Sequence, residues 1–472
     1  MMAPPQIRVS TTIFALFAAT LLQKFISLQL RYGPVGICPN AVAPFEHHQD
    51  LIEIDGIANA KGKLARKIRA EPCQAFSESY YEARSKFRFA VDAVTNTSLH
   101  SLQVIPNKDY TIDIAVIPGD GDGLVIHTSG CHGVEGYAGS SIQVAFLQHL
   151  ASLSDDTATE SAPTIILVHA LNPYGMAHYR RTNENNVDLN RNALTEDEWP
   201  EVLARDPNIV GYDDFDSAMF NPPHAPTLFG AYVTFFLKAV TAIARYGFVN
   251  MKRSLVAAQY HNPRGIFYGG KALQASHVLL RDFLAGYAGN TSGTVSMIDV
   301  HTGLGPSGVD TLLVHGVPDD MSVTASTGGA EEDAVFYDAP RPVQYHFGRV
   351  EETSDSNAEE IASTANSDVT AGYELSRGIL NDYYAKLFDV SPSARPLVVT
   401  QEFGTVAGIL VARGVILENM AFQYVPQQQP FWSLFSRDVF YIRTDEWRRS
   451  ILTRGLTVLR QAIERSMSSK VS

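Results

Sequence analysis

A histidine and a glutamate stand three residues apart in Ser129-Gly130-Cys131-His132-Gly133-Val134-Glu135-Gly136. The stretch follows an apolar run, Gly123 to Thr128, that reads as a buried strand, and precedes a helix expected over Ala138 to Leu150. At a strand-to-helix corner both side chains can turn toward one point. Neutral imidazole and carboxylate are what zinc takes from protein, and a catalytic zinc has three such ligands. By itself H-x-x-E is common on helices, where it forms an ion pair. The sequence downstream sets this one apart.

Three further stretches carry chemistry, each at the end of an expected strand. After Thr164 to His169 comes Asn172-Pro173-Tyr174-Gly175, then Arg180-Arg181-Thr182-Asn183-Glu184-Asn185-Asn186-Val187-Asp188-Leu189-Asn190-Arg191-Asn192. Guanidinium is the side chain for gripping a carboxylate bidentately or answering an oxyanion. After Val295 to Val300, the segment Ile298-Asp299-Val300-His301-Thr302-Gly303 offers His301 as a third metal ligand, with Asp299 as a partner to orient a ligand histidine. After Leu397 to Thr400, Gln401-Glu402-Phe403-Gly404-Thr405 offers Glu402 as a general base toward water beside a metal ion.

Positioning four strand ends together requires a sheet. Strand candidates Tyr110 to Ile117, Leu124 to Thr128, Thr164 to His169, Val295 to Val300, Thr311 to Val314 and Leu397 to Thr400 alternate with helical patterns, which predicts helices on both faces. Phe76, Tyr80, Ala83, Phe87 and Val91 recur at near-helical spacing, with a start near Ser77, and Thr444 to Met467 reads as a closing amphipathic helix. The expected fold class is α/β: one large domain, residues 76–472, with a mixed, mostly parallel sheet. Residues 1–30 form a hydrophobic targeting or anchor segment and 31–75 a solvated linker. Stretches rich in acidic residues, Pro, Ser and Thr at about 193–228 and 318–372 read as insertions or mobile loops, Glu351 to Thr370 as the best candidate for disorder.

In motif order and in strand-end context, the chain resembles the zinc metallocarboxypeptidase superfamily, which includes pancreatic-type carboxypeptidases, succinylglutamate desuccinylase and aspartoacylase. It looks closest to a little-characterised branch classed as a domain of unknown function, with S-G-x-H-G-x-E-G, V-D-L-N-R-N, D-x-H-T-G-L-G and E-F-G-T. The resemblance runs from about Phe76 to the C-terminal helix. It implies one Zn²⁺ held by His132, Glu135 and His301, with Arg181 polarising a carbonyl and Asn190 and Arg191 gripping a terminal carboxylate. Glu402 matches the general base and acid. The implied activity is hydrolysis of an amide next to a free carboxylate, by a carboxypeptidase or an N-acyl-amino-acid deacylase, with a catalytically silent binding module as the alternative of another class. No counterpart of the family's capping tyrosine stands out among Tyr373, Tyr383 and Tyr384.

Composition bounds the rest. A net charge of −13 argues against a nucleic-acid partner. It leaves a peptide or acyl-amino-acid substrate open. The three cysteines, Cys38, Cys73 and Cys131, are too few for a disulfide framework. Free thiols are expected, with a Cys38–Cys73 bridge as the alternative in a secreted chain and Cys131 as packing. The apolar run Thr12 to Leu22 between basic residues fits a secretory signal or membrane tether, with a mitochondrial presequence or cytoplasmic residence as alternatives. Gly303-Leu304-Gly305-Pro306-Ser307-Gly308 satisfies G-x-G-x-x-G but lacks the acid of a dinucleotide site. Its glycines read as letting the loop pass close to a metal. The aromatic, Gly-rich segments at Gln259 to Pro263 and Gly265 to Gly270 read equally as pocket wall or plain loop. No G-x-S-x-G elbow is present, which argues against a serine hydrolase.

Overall fold

Apolar, β-branched runs too short for helices supply the centre of the molecule. The computed structural model describes residues 51–55, 67–153, 162–289, 291–315, 344–345, 376–389 and 396–467. Among these, the strands are β1 (Ile52–Ile54), β2 (Ile68–Ala70), β3 (Ser98–Gln103), β4 (Thr111–Ile117), β5 (Leu124–Ser129), β6 (Thr164–His169), β7 (Val295–Gly303), β8 (Asp310–His315), β9 (Gln344–Tyr345) and β10 (Leu397–Gly404). The main sheet has the order β3-β4-β6-β5-β7-β10-β8-β9. Its middle, β6-β5-β7-β10, is parallel, and the pairs β3-β4, β4-β6 and β10-β8 are antiparallel. β5, β7 and β10 are buried along their whole length, as parallel strands covered on both faces must be. The α/β class and mixed sheet are as expected.

The longer helices are α1 (Tyr80–Asp92), α2 (Gly136–Ala151), α3 (Phe235–Tyr246), α4 (Phe248–Val256), α5 (Ala275–Ala288), α6 (Leu380–Phe388), α7 (Gly408–Tyr424), α8 (Gln429–Phe440) and α9 (Asp445–Ser466). One apolar layer joins α1, α2 and α9 to the sheet through Phe87, Ile142, Val300 and Leu459. The opposite layer holds Ile126, Met297 and Val398 against Leu280 and Leu284 of α5 and Tyr384 and Phe388 of α6. From β5 the chain crosses to β6 on one side, whereas β10 and β8 lie on the other side of β7. The carboxyl ends of β5 and β7 therefore border a topological switch point, where open α/β sheets leave a crevice.

Several boundaries differ from expectation. α1 begins at Tyr80, and its cap is Ser79, not Ser77. The Ser79 hydroxyl accepts the Glu82 N–H while the Glu82 carboxylate accepts the Glu78 N–H, a reciprocal capping pair. The end of the stretch read as linker is packed. β1 and β2 pair antiparallel, burying Ile52, Ile54, Ile68 and Ala70 while Glu53 and Arg69 form an ion pair outside. Basic side chains on the outer positions of β2 concealed that alternation. Within 193–228 the chain buries Tyr212, Phe215, Met219 and Phe220, so this part is packed against the body and not a mobile loop. The 318–372 stretch, with Glu351 to Thr370, and the N-terminal apolar run lie outside the described residues. Cys73 is disulfide-bonded, which corrects the free-thiol expectation there; Cys131 is free and buried.

α7 and α8 pack closely because Gly414 lets their backbones meet: a Cβ there would lie 2.7 Å from the Phe435 carbonyl oxygen and 2.8 Å from a Val439 methyl. An alanine favours a helix interior by up to about 1 kcal/mol over glycine, but overpacking costs about 1–3 kcal/mol. Gly414→Ala is therefore expected to lower the thermal midpoint despite the gain in helix propensity, as measured by calorimetry.

Candidate active site

β5 ends at Ser129, and Gly130 (φ +69°) turns the chain so that His132 and Glu135 face back over the sheet. The turn is fastened from the side. Val134 donates its N–H to the Arg180 carbonyl at 2.8 Å, and a Cβ on Gly133 would lie 2.1 Å from the Gly175 backbone. β7 runs beside β5 and delivers His301 from its carboxyl end.

The three side chains converge. His132 Nδ1 lies 2.9 Å from Glu135 Oε1, His301 Nδ1 3.1 Å from Glu135 Oε2, and the two Nδ1 atoms are 3.1 Å apart. All three residues are buried. Two nitrogens about 3 Å apart, each about 3 Å from one oxygen of the same carboxylate, border a space of the size in which zinc takes nitrogen and oxygen ligands at about 2 Å. Each ring is aimed by its other nitrogen. His132 Nε2 is 3.0 Å from Asp188 Oδ1, and His301 Nε2 is 2.6 Å from Asp299 Oδ2. A carboxylate can only accept, so both Nε2 atoms carry a proton, which leaves the two Nδ1 atoms to give their lone pairs to a cation at the common point when one is bound. The carboxylates are themselves fixed: Thr128 Oγ1 donates to Asp299 at 2.6 Å, and Arg181 Nε donates to Asp188 at 2.8 Å. Glu135 also accepts the Thr302 N–H at 3.0 Å.

The electrostatics ask for a cation. Glu135, Asp188, Asp299 and Glu402 are buried here, with Arg181 and Arg191 as the buried guanidiniums. Burial alone would push Glu135 up, yet His132 and then His301 hold its carboxyl well below the usual range. Burial also opposes charge on His301, but Asp299 and Glu135 outweigh it and hold the ring's affinity for a proton well above the ordinary value. A pocket that concentrates positive charge in this way, with two lone pairs and a carboxylate at one point, fits a divalent ion. Cys131, Asp299 and His301 also lie within metal-binding reach of one another. That grouping would need His301 Nε2, already given to Asp299. Burial, then Asp299, also raises the Cys131 thiol well above its usual value, so it packs as a neutral side chain.

Glu402 sits on β10 in register with His301 on the adjoining parallel strand. It is 8% exposed, and the Leu304 N–H donates to its Oε1 at 2.9 Å. Burial and then the negative charge of Glu135 push its carboxyl up to about 7. Gly303 (φ +146°) admits the Phe440 ring, 3.2 Å from where a Cβ would stand. The glycine that ends β7 thus lets the following loop pass close to Glu402.

The two neighbouring arginines diverge. Arg180 is fully buried and paired with Glu418 at 2.8 Å, a structural role. Arg181 turns to the site, 3.4 Å from Glu135 Oε1, with its guanidinium 4.5 Å from the centre of the Phe267 ring. Asn190 accepts the Leu380 N–H, and Arg191 donates to the Val256 carbonyl. All seven anticipated residues, His132, Glu135, Arg181, Asn190, Arg191, His301 and Glu402, line one cavity of about 380 Å³. Most of its remaining wall is apolar, including Met251 and Leu255 of α4 and Ile409, Ala412 and Val415 of α7, with Lys252, Thr302 and Thr400 as polar members. Phe267 settles the open reading of the Gly265 to Gly270 segment: it is pocket wall. No tyrosine among the described residues lines this cavity, and Tyr383 and Tyr384 belong to the opposite core layer.

Sequence reasoning missed Asp188 as the partner of His132, although it stood in the quoted V-D-L-N-R-N run. It also missed α4 and α7 as walls, since ordinary amphipathic segments carry no mark of facing a site.

A family model described as "Protein of unknown function (DUF2817)" matches residues 76–339. No curated protein matches the sequence. Among solved structures, carboxypeptidase A from Helicoverpa armigera is 14% identical with a TM-score of 0.36, covering 83% of this chain and 76% of that one. Bovine thrombin-activatable fibrinolysis inhibitor, solved with tick carboxypeptidase inhibitor, is 10% identical with a TM-score of 0.37, covering 81% and 99%. A succinylglutamate desuccinylase from Silicibacter sp. TM1040 is 14% identical with a TM-score of 0.28, covering 70% and 66%.

Two outcomes test the site. Asp188→Asn leaves His132 without its charged partner and frees Arg181, so zinc affinity measured by competition with a chelating dye should fall about 10–100-fold. The second concerns Glu402, whose carboxyl titrates near 7 in the folded protein and at an ordinary 4.5 when unfolded. A raised carboxyl favours folding below the unfolded value and loses that contribution as pH rises toward the folded one. In metal-free protein, Glu402→Gln should therefore gain stability relative to the parent between pH 4.5 and 7. The gain, read from denaturant midpoints, is about 3 kcal/mol and level above pH 7.

Proposed function

For a chain that belongs to the DUF2817 family of proteins of unknown function, we propose a zinc-dependent hydrolase that cleaves an amide bond next to a free carboxylate. The observation that carries this reading is the meeting of His132, Glu135 and His301 at one point beside Glu402. When bound, the ion supplies Lewis-acid polarisation of a carbonyl and makes water acidic enough to ionise near neutral pH.

The chain's own residues do the rest. Glu402, with its carboxyl near 7, takes a proton from the attacking water and passes it to the leaving amine. The Leu304 N–H holds Oε1, which leaves Oε2 as the proton carrier. Arg181, braced by Asp188 and Phe267, answers the negative charge that develops on the carbonyl oxygen. Asn190 and Arg191 face the same cavity and take the substrate's carboxylate, setting which amide lies before the ion. Burial of the whole group strengthens each of these interactions.

The apolar wall formed by α4 and α7 favours a second reading of the substrate, an N-acyl amino acid with an apolar acyl group, over an extended polar peptide. Release of C-terminal residues from a peptide library, run beside hydrolysis of N-acyl amino acids of increasing chain length, separates the two. A non-catalytic binding module on this framework would show neither. A membrane tether through the N-terminal segment belongs to the same proposal.

Glu402→Gln should bind zinc as the parent does and lose about 10²–10⁴-fold in kcat. Equal turnover in parent and variant at matched zinc content would remove Glu402 from the role of base. Arg191→Met should raise KM for substrates with a free carboxylate and leave esterified or amidated substrates little changed. An equal effect on both classes would place Arg191 outside carboxylate recognition.

A further inference from the structure

Helix α3, with the π-helical turn Gly230–Thr234 before it, carries two apolar faces. The inner face packs Ala231, Phe235 and Ala239 into the core. On the outer face Phe229, Val233 and Leu237 recur every fourth residue, and they are 70%, 38% and 50% exposed. Leu228 and Tyr232 flank them, also exposed. Gly247 (φ +82°) bends the chain by 109° into α4, whose first residues, Phe248 and Val249, are 51% and 37% exposed. A surface helix ordinarily turns polar residues to water, and a contiguous apolar face this size marks a binding surface.

The charge around it identifies what it meets. Between Asp216 and Asp282 the sequence has no acidic residue, although the chain holds 50 of them and has a net charge of −13. The same interval carries Lys238, Arg245, Lys252 and Arg253 on α3 and α4. Asp438 shares a groove with Leu228 and Tyr232 at one end of the face, and within the two helices the exposed apolar side chains stand with basic residues alone, a pattern that suits a helix lying in the headgroup region of an anionic bilayer. No single helix among the described residues is long and apolar enough to cross a membrane; the two together are, but the 109° bend and an inner face packed into the core through Ala231, Phe235 and Ala239 suit a pair lying along a surface. The face is also continuous with the site: Phe248 is exposed at the bend and lines the cavity that holds His132, His301 and Glu402.

We infer that the bent helix pair from Leu228 to Val256 is a docking surface for an anionic lipid bilayer, seated so that the cavity opens at the membrane interface. An amphiphilic substrate would then pass from the bilayer along Phe248 toward the apolar wall. That last step rests on the proposed hydrolase reading; the docking itself does not.

The test is co-sedimentation of the full chain with vesicles of phosphatidylcholine alone and of phosphatidylcholine with phosphatidylserine, at low and at high salt. The chain should sediment with the anionic vesicles at low salt and remain largely in solution with the neutral ones. Neither Phe229 nor Leu237 lines the cavity, and the double variant Phe229→Glu, Leu237→Glu should bind at least tenfold more weakly with an unchanged thermal midpoint and unchanged zinc content. Lys238→Glu with Arg245→Glu should weaken binding to anionic vesicles and flatten its salt dependence. Failure of the full chain to sediment with anionic vesicles would overturn the proposal. So would undiminished binding by the Phe229, Leu237 variant, which would assign attachment to the N-terminal apolar run. A dimer of the parent that the same variant splits would give the face to a second copy of the chain and overturn it equally. Loss of turnover on soluble substrates with vesicle binding intact would count against the hydrolase reading alone.

Discussion

Two hydrogen bonds, His132 to Asp188 and His301 to Asp299, decide what the centre of this protein can be. An imidazole is a useful metal ligand only if one nitrogen is unprotonated and aimed, and a carboxylate behind the other nitrogen enforces both. Without these acids the two Nδ1 atoms, 3.1 Å apart, would share a proton or turn away. With them, the lone pairs face one point and Glu135 completes the set.

That demand propagates outward through the fold. Asp299 lies two residues before His301 on β7, so both point to the same sheet face. Thr128 holds Asp299 from the paired position on β5. Asp188 comes from a loop folded over the strand ends, and it also gathers Arg181, which ties that guanidinium to His132 through one carboxylate. Glu402 is set beside His301 by strand register alone. Its raised affinity for a proton follows from burial next to Glu135, so this carboxyl is tuned by its neighbour's charge.

The apolar half of the cavity comes from elements with no part in holding the polar half. α4 and α7 could vary without disturbing the ligands, and this is where substrate choice would reside. One of these helices continues into the exposed face at the bend near Gly247, which links what enters the cavity to what the surface touches.

The sequence by itself determined the chemistry-bearing residues and the architecture. His132, Glu135, His301 and Glu402 were legible because each stands at or just after the end of a strand signalled by an apolar run, such as Val295 to Val300 or Leu397 to Thr400, and Arg181, Asn190 and Arg191 because their loop is dense in Arg and Asn. Local pattern also marked α2 as a helical run after the glycine-rich turn and α9 as an amphipathic one. Only tertiary structure decided the rest, since it depends on residues far apart in the chain. Nothing local distinguishes Asp188 from the amides around it, Arg180 from Arg181, or the buried Ile68 from its basic neighbours. The apolar wall was invisible for the same reason: Met251, Leu255 and Val415 look like any core residues until the fold turns them toward the ligands. A pattern of types shows which groups can react, and packing fixes which of them meet.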